Sequence, residues 1–155
     1  MKAVLQRVTK ASVEIFETVG DAVPHTTREI GRGYAVLLGV AQGDSPAEAD
    51  RLVDKMAGLR VFADQDGKMN LDIRQAGGAF LVVSQFTLLA DTRKGRRPSF
   101  IRAADPESGE ALYHYVVKRL REEGFTVATG EFGAHMLVNI SNDGPVTILL
   151  DTAEM

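Results

Sequence analysis

The chain has 155 residues, of which 45% are hydrophobic and 25% are charged, and its formal net charge at pH 7 is −3. These values indicate one globular domain with a sizeable core and argue against a general nucleic-acid binder. The absence of cysteine excludes disulfides, thiolate zinc sites and cysteine nucleophiles, and no apolar run predicts a signal peptide or a membrane span. We therefore expect a cytoplasmic protein with no membrane partner.

The first part of the chain predicts three strands and one long excursion between them. Short runs rich in Val, Leu and Ile predict strands over residues 3–8 and 12–15, and the apolar run 34–40 predicts a strand buried on both faces. The polar stretch 16–29 contains Gly20 and Pro24, and it predicts a long hairpin loop.

A helix is predicted to follow at Ser45. Ser45 is the expected N-cap, Pro46 fits the first turn, and Glu48 stands where it completes a capping box. The spacing of the next apolar residues is that of one helix face, formed by Ala49, Leu52, Val53 and Met56.

The second part of the chain predicts a strand, a helix and three more strands. Residues 64–67 indicate a turn, and residues 79–83 predict a buried strand that ends at Ser84. Asp105 and Pro106 begin the second helix, Gly124 ends it, and its apolar face comprises Leu112, Tyr115, Val116 and Leu120. Strands are predicted over 125–129, 135–140 and 146–151, and their succession suggests antiparallel pairing. The predicted fold is a single α/β domain over residues 1–155, with a mixed sheet and two main helices outside it.

The sequence lacks the motifs of several common kinds of active site. His25, His114 and His135 are scattered without the spacing of a metal site, and neither a serine-hydrolase elbow nor a glycine-rich phosphate loop is present. We therefore expect no metal and no cofactor.

The polar residues at the end of the predicted strand 79–83 are better candidates. Ser84, Gln85 and Thr87 would lie at a sheet edge, where sites commonly occur. Thr87 as a nucleophile would need an activating base, and none is near in sequence. Alternatively, the backbone N–H groups of Phe86 and Thr87 stabilise an oxyanion while Gln85 positions the substrate. The simplest interpretation is a polar cluster that bonds its own backbone.

A second candidate is a run of basic residues in a chain that is acidic overall. Five cations fall within ten residues that contain no acid, namely Arg93, Lys94, Arg96, Arg97 and Arg102. Such a run either binds phosphates or is an ordinary solvated loop.

Two segments, in this order, resemble the signature motifs of the D-aminoacyl-tRNA deacylases. They are residues 84–88 (SQFTL) and residues 142–147 (NDGPVT). Residues 1–8 (MKAVLQRV), 31–40 (GRGYAVLLGV), 93–100 (RKGRRPSF) and 129–136 (TGEFGAHM) are also similar to that family.

The resemblance implies a β/β/α layered or barrel-like fold that forms a homodimer, and an enzyme acting on the acceptor end of aminoacyl-tRNA. It implies hydrolysis of the ester of D-aminoacyl-tRNA, and of glycyl-tRNA mischarged on tRNA-Ala, with catalysis at Ser84, Gln85, Phe86 and Thr87. Gly144 and Pro145 would form a cis pair that enters the partner subunit's site and excludes L-amino acids. In the substrate-binding set Arg7 would brace this pair, and Asn142 and Thr147 would flank it. Arg93, Lys94, Arg96 and Arg97 would bind tRNA phosphates.

Other interpretations remain open at the level of sequence. Without the resemblance, the Asn-Asp-Gly-Pro segment is an ordinary turn between strands. A noncatalytic RNA-binding module is one alternative function, although the aromatic content of 6% and the negative charge disfavour it. The related branch that clears L-alanyl-tRNA is another, but it has Pro and Ala where this chain has Ser84 and Phe86. The choice between attack by Thr87 and assistance from the tRNA 2′-hydroxyl also stays open, and no DNA partner is expected.

Overall fold

A computed structural model describes all 155 residues as a mixed six-stranded sheet with two helices packed on one face. In chain order the elements are β1 (Lys2–Phe16), β2 (Thr26–Ile30), β3 (Gly33–Gly39), α1 (Pro46–Gly58), β4 (Phe62–Ala63), β5 (Met69–Leu71), β6 (Ala79–Ser84), α2 (Pro106–Glu122), β7 (Val127–Thr129) and β8 (His135–Asp151). Short 3-10 helices cover Phe86–Leu89 and Thr152–Glu154. No helix has both the length and the apolar character required to cross a membrane.

Strand β1 is the centre of the sheet. One edge of β1 pairs along its length with β8, and the other edge pairs first with β3 and then with β2, all antiparallel. Strands β3, β6 and β7 continue the sheet in parallel. The two ends of the sheet approach each other, because Arg28 of β2 donates to the carbonyls of Thr129 and Gly130 at the end of β7. The sheet is therefore nearly closed.

The alternation of side chains along the strands produces two apolar layers. Tyr34, Val36 and Leu38 of β3 point toward the helices, whereas Ala35 points to the inside of the curved sheet. Phe80 and Val82 of β6 belong to the helix-side core, and Leu81 and Val83 belong to the inner core. Both faces of these strands are buried, as the continuous apolar runs predict.

Both predicted helices are confirmed, together with their caps. Ser45 and Glu48 form the capping box of α1, and the predicted face Ala49, Leu52, Val53 and Met56 is buried. Asp105 caps α2 by accepting from the N–H of Ser108. The buried face of α2 differs partly from the prediction, since Tyr113 and Val117 are buried while Leu112 and Tyr115 are only half-buried.

Several predicted strand boundaries are wrong. The two predicted strands 3–8 and 12–15 are one strand, β1, because both halves pair with β8. Strand β2 occupies the end of the predicted loop 16–29. The strands predicted over 135–140 and 146–151 are one strand of 17 residues, so the intervening segment is not a turn. Strands β7 and β8 do not pair with each other, and the short hairpin of β4 and β5 was not predicted.

Candidate active site

The end of β6 and the residues after it form the centre of the candidate site. The parallel ladder with β3 ends at Ser84, and the N–H of Gln85 donates to the carbonyl of Leu38 at 2.8 Å. The chain then turns into the 3-10 helix Phe86–Leu89. Gly39 makes this turn possible, because a Cβ there would lie 2.6 Å from the Leu89 side chain and 2.9 Å from the Gln85 carbonyl oxygen.

A cavity of about 350 Å³ opens beside this turn, and we call it the β6 cavity. It is lined by Ser84, Gln85 and Phe86 on one side, and on the others by Val40, Ala104, Gly109 of α2 and residues between 132 and 138, before and within β8. Val83 and Val138, which belong to or pack on the inner core, form part of its floor. The β6 cavity is therefore the open end of the curved sheet.

Thr87 does not line the β6 cavity. The Gln85 side-chain amide donates a short hydrogen bond to the Thr87 hydroxyl, which accepts it. An amide nitrogen that donates cannot remove a proton from the hydroxyl. Among the hydrogen bonds and ion pairs of the structure, no histidine, carboxylate or lysine reaches Thr87. The geometry thus lacks the base that a threonine nucleophile requires.

Gly144 and Pro145 lie in a large bulge of β8. Gln6 of β1 pairs with Thr147 and Val8 pairs with Asn142, so a single residue of β1, Arg7, faces four residues of β8. The bulged residues 143–146 leave the ladder with β1, and Gly144 and Pro145 are exposed. The Gly144–Pro145 peptide bond is cis. Gly144 has φ of +133°, and a Cβ there would lie 2.8 Å from Val146 and 3.1 Å from Arg7, so the position requires glycine.

Arg7 spans this bulge. Its Nε donates to the carbonyl of Asp143 at 3.0 Å, and its Nη1 donates to the carbonyl of Val61 at 2.6 Å. The carboxylate of Asp143 lies 3.7 Å from Nε. The arginine side chain is thus fixed at both ends of its guanidinium group and holds the start of the bulge.

Asn142 and Thr147 close the base of the same bulge. The Asn142 side chain accepts from the N–H of Val146 at 2.9 Å and donates to the Thr147 hydroxyl at 3.0 Å. Gln6 also donates to the Thr147 hydroxyl. These hydrogen bonds connect the two ends of the bulge and so shape it.

The two predicted parts of the site do not meet within one chain. Neither Gly144 nor Pro145 lines the β6 cavity. Gly144 is six residues along β8 from Val138, a cavity residue, and that is about 20 Å at the rise of a β-strand. Sequence order alone gives no sign of this separation.

Residues 93–97, which we call the basic loop, project from a short bridge between Asp91 and Ser99. Arg93 differs from the other cations, because its Nε and Nη2 donate to the Asp91 carboxylate at 2.9 and 2.5 Å. The Arg93 guanidinium lowers the pKa of Asp91 well below its usual range, and Asp91 in turn raises the pKa of Arg93. Lys94, Arg96 and Arg97 are exposed and form no ion pair.

The sequence interpretation missed residues that line the β6 cavity from other elements. They are Val40, Ala104, Gly109, Phe132, Gly133, Ala134, His135, Met136 and Val138. Part of this set falls in the segment 129–136, which is similar to the deacylase family. That similarity is the sequence signal that could have identified these residues. Tyr113 of the Tyr-His-Tyr segment is buried, and its hydroxyl donates to the carbonyl of Val82 at 2.9 Å.

Comparisons with known proteins agree over nearly the whole chain. The family model for D-Tyr-tRNA(Tyr) deacylase matches residues 4–151. A D-aminoacyl-tRNA deacylase of Dehalococcoides mccartyi is 55% identical over 155 residues, covering 99% of this chain and 96% of that protein. One from Thermotoga petrophila is 51% identical, covering 100% of this chain and 99% of the relative.

Two solved structures share the fold. A protein described as c-Myc DNA unwinding element binding protein superposes with a TM-score of 0.85 at 40% identity, covering 97% of this chain and 98% of that one. A probable eukaryotic D-amino acid tRNA deacylase superposes with a TM-score of 0.77 at 17% identity, covering 96% and 97%. At that identity the second likeness concerns the fold alone.

Proposed function

The chain belongs to the D-Tyr-tRNA(Tyr) deacylase family, and we therefore propose the reaction, the site and the assembly described below. The protein is a hydrolase, a D-aminoacyl-tRNA deacylase, which cleaves the ester between a D-amino acid and the 3′ end of tRNA. Free D-amino acid and tRNA are the products. The observation that carries the assignment of the site is the β6 cavity, whose wall is formed by Ser84, Gln85 and Phe86. Because aminoacyl-tRNA is used in the cytoplasm, we place the protein there.

Catalysis in this proposal depends on position and electrostatics. The first N–H groups of a helix have no partner within it, and here they belong to Phe86 and Thr87. No side chain caps the 3-10 helix that they begin. Phe86 lines the β6 cavity and Thr87 follows it directly, so these N–H groups would together stabilise the oxyanion that forms when water adds to the ester carbonyl at the cavity wall. The bond from the carbonyl carbon to the ribose oxygen then breaks, and that oxygen takes a proton.

The proton transfers are assigned to the substrate. Thr87 accepts a hydrogen bond from Gln85 and has no base beside it, which argues against its acting as a nucleophile. The neighbouring 2′-hydroxyl of the terminal ribose is within reach of any group that reacts at the 3′ ester. Assistance by this hydroxyl needs only that the enzyme hold the ribose in place.

Chirality would be selected by the main chain of Gly144 and Pro145 from a second copy. Strand β8 supports this, because it carries eight apolar residues, none of its 17 residues is buried, and its outer edge has no strand partner. An edge of this length is a suitable surface for association with a second chain. The side chain of an L-amino acid would collide with the backbone carbonyl oxygens of the bulge that Arg7 helps to hold. The side chain of a D-amino acid would point away from them.

The same steric argument applies to glycyl-tRNA as a substrate. Since glycyl-tRNA has no side chain to collide with the filter, we include glycine mischarged on tRNA-Ala among the substrates. The rival branch that clears L-alanyl-tRNA requires tolerance of an L side chain, which this filter would deny.

The activity is tested with matched D-Tyr-tRNA and L-Tyr-tRNA. The wild type should release tyrosine from the D ester and leave the L ester intact. Equal rates on both would show that Gly144 and Pro145 do not act as a filter. Binding of either tRNA without loss of the ester would favour the alternative of a noncatalytic RNA-binding module. The basic loop and the name of the 40% identical structure give that alternative its support.

The shared site is tested by mixing two inactive chains. Gln85→Ala impairs the β6 cavity, and Gly144→Ala displaces the bulge, because the added Cβ collides with Val146 and Arg7. Coexpression in equal amounts yields half heterodimers, each with one intact site, so about a quarter of wild-type activity should return. Activity that stays at the mean of the two homodimers would refute completion across the subunits. Sedimentation of each variant serves as the control for assembly.

A further inference from the structure

Two exposed aromatic rings lie between the β6 cavity and the basic loop. Phe86 is 54% exposed and Phe100 is 36% exposed. Their ring centroids are 5.0 Å apart, and the rings are inclined by 72°. Phenylalanine is usually buried, so a pair that is exposed and in mutual contact indicates an interaction surface.

The position of this pair follows from the local fold. Phe86 belongs to the wall of the β6 cavity. Phe100 comes directly after Ser99, whose backbone exchanges two hydrogen bonds with Asp91 at 2.7 and 2.9 Å and so closes the basic loop. The pair therefore connects the cavity to a segment that carries unpaired cations.

Aromatic faces beside unpaired cations are the combination that binds single-stranded nucleic acid. Bases stack on the rings while the cations contact the phosphates, and stacking does not require a particular base. Residues 92–102 contain five cations and no acid, which gives this surface the charge that complements RNA.

From this arrangement we infer a second nucleotide subsite, which rests on the proposed function. The Phe86–Phe100 pair stacks the base of the nucleotide next to the one that carries the ester. The terminal nucleotide occupies the β6 cavity, and the chain leaves it past Phe86 toward Lys94, Arg96 and Arg97. The acceptor end of tRNA is single-stranded, so its bases are free to stack.

The test compares a full substrate with a truncated one. D-Tyr-tRNA has the neighbouring nucleotide, whereas the 3′-O-D-tyrosyl ester of adenosine lacks it. Phe100→Ala should lower kcat/KM for D-Tyr-tRNA about tenfold, chiefly through KM, which corresponds to about 1.4 kcal/mol and is within the range of base stacking. The adenosine ester should be cleaved within about twofold of the wild-type rate.

Conservative variants separate stacking from packing. Phe100→Tyr keeps an aromatic face and should retain activity on D-Tyr-tRNA. Phe100→Leu keeps apolar bulk without that face and should lose nearly as much as Phe100→Ala. Phe86 is left unchanged, because it belongs to the catalytic segment.

Three results would overturn the inference. They are equal losses on both substrates, no loss on D-Tyr-tRNA, and a Phe100→Ala protein that sediments as a monomer, which would assign the pair to a contact between copies. Failure of the proposed site appears elsewhere, as a Gln85→Ala protein that cleaves both substrates normally. The two hypotheses can thus fail independently.

Discussion

Neutralising Asp91 should strengthen the binding of tRNA, because it would release Arg93. Asp91→Asn removes the negative charge but keeps an oxygen that can accept from the backbone N–H of Arg93, as Asp91 does at 3.1 Å. The bridge between Asp91 and Ser99 uses backbone atoms and should survive. The basic loop would then keep its shape and gain one free cation.

The expected size of the effect comes from counterion release. Each phosphate that is neutralised contributes about −0.7 for single strands or about −0.9 for duplex to the slope of log K against log salt. Four unpaired cations, Lys94, Arg96, Arg97 and Arg102, give a slope of about −2.8 to −3.6 if each contacts one phosphate. The carboxylate of Asp91 is ionised at neutral pH and accepts hydrogen bonds from the Arg93 guanidinium, so Arg93 should add nothing in the wild type.

The assay is the binding of uncharged tRNA between about 50 and 200 mM salt, where such slopes are clearly resolved. Arg93→Ala should leave the slope unchanged, Arg96→Ala should reduce its magnitude by about 0.7 to 0.9, and Asp91→Asn should increase it by the same amount. Asp66→Asn, at an exposed acid outside the basic loop, controls for the loss of one negative charge. If Arg93→Ala and Arg96→Ala reduce the slope equally, the ion pair does not sequester Arg93 and the reasoning fails.

Further predictions concern the site and the core. Thr87→Val should retain substantial deacylation, since no base activates the hydroxyl, and a trapped acyl-enzyme on the wild type would contradict this. Gly39→Ala should destabilise the fold by about 1 to 3 kcal/mol in urea unfolding and lower kcat, because the new Cβ meets Leu89 and the Gln85 carbonyl, whereas Gly31→Ala, with open space around it, is the tolerated control. Burial raises the pKa of Tyr113 to about 12, above its value of about 10 in the unfolded chain, so its contribution to stability is complete below pH 10 and falls as pH rises toward 12. In Tyr113→Phe the free energy of unfolding should no longer decline between pH 10 and 12, a decline that reaches about 1.4 kcal/mol per pH unit in the wild type. At pH 7 the same variant should be less stable by about 1 kcal/mol, because it lacks the hydrogen bond of the hydroxyl. Denaturation at several pH values measures both effects.

The elements that the sequence predicted well are those whose signals are local. The capping box at Ser45 and the apolar face of α1 depend on residues within one turn or two of each other. Strands β3 and β6 are buried on both faces, so their composition identifies them without knowledge of their partners.

The errors concern features that depend on distant residues. The turn predicted in β8 is the bulge where Arg7 faces residues 143–146, and the gap predicted in β1 overlaps a second register shift, between Val8 and Lys10. Asn-Asp-Gly-Pro is ordinary turn chemistry, and only pairing with β1, more than a hundred residues earlier, keeps both flanking segments in one strand. The parallel pairing of β7 with β6 is likewise decided by the topology and not by its own three residues.

Only part of the candidate site could be predicted, again because some of its features depend on distant residues. Ser84, Gln85 and Phe86 follow a strand that is recognisable locally, and the structure brings them to the wall of one cavity. The run of cations in the basic loop could be identified from the sequence, but the ion pair between Arg93 and Asp91 could not. Asp91 lies outside the acid-free run, and its bond with Arg93 depends on the bridge to Ser99.

The two parts of the proposed site need different kinds of strand. An oxyanion site needs fixed donors, and the 3-10 helix after β6 can provide them because β6 is held between β3 and β7 with both faces buried. A main-chain filter needs backbone groups that are free to meet a substrate, and those in the middle of a sheet are already paired. Only an edge strand that leaves its ladder can offer them, as β8 does at residues 143–146. One chain has both kinds of strand but keeps residues 143–146 away from the β6 cavity, so the proposed site combines the β6 cavity of one copy with the β8 bulge of a second.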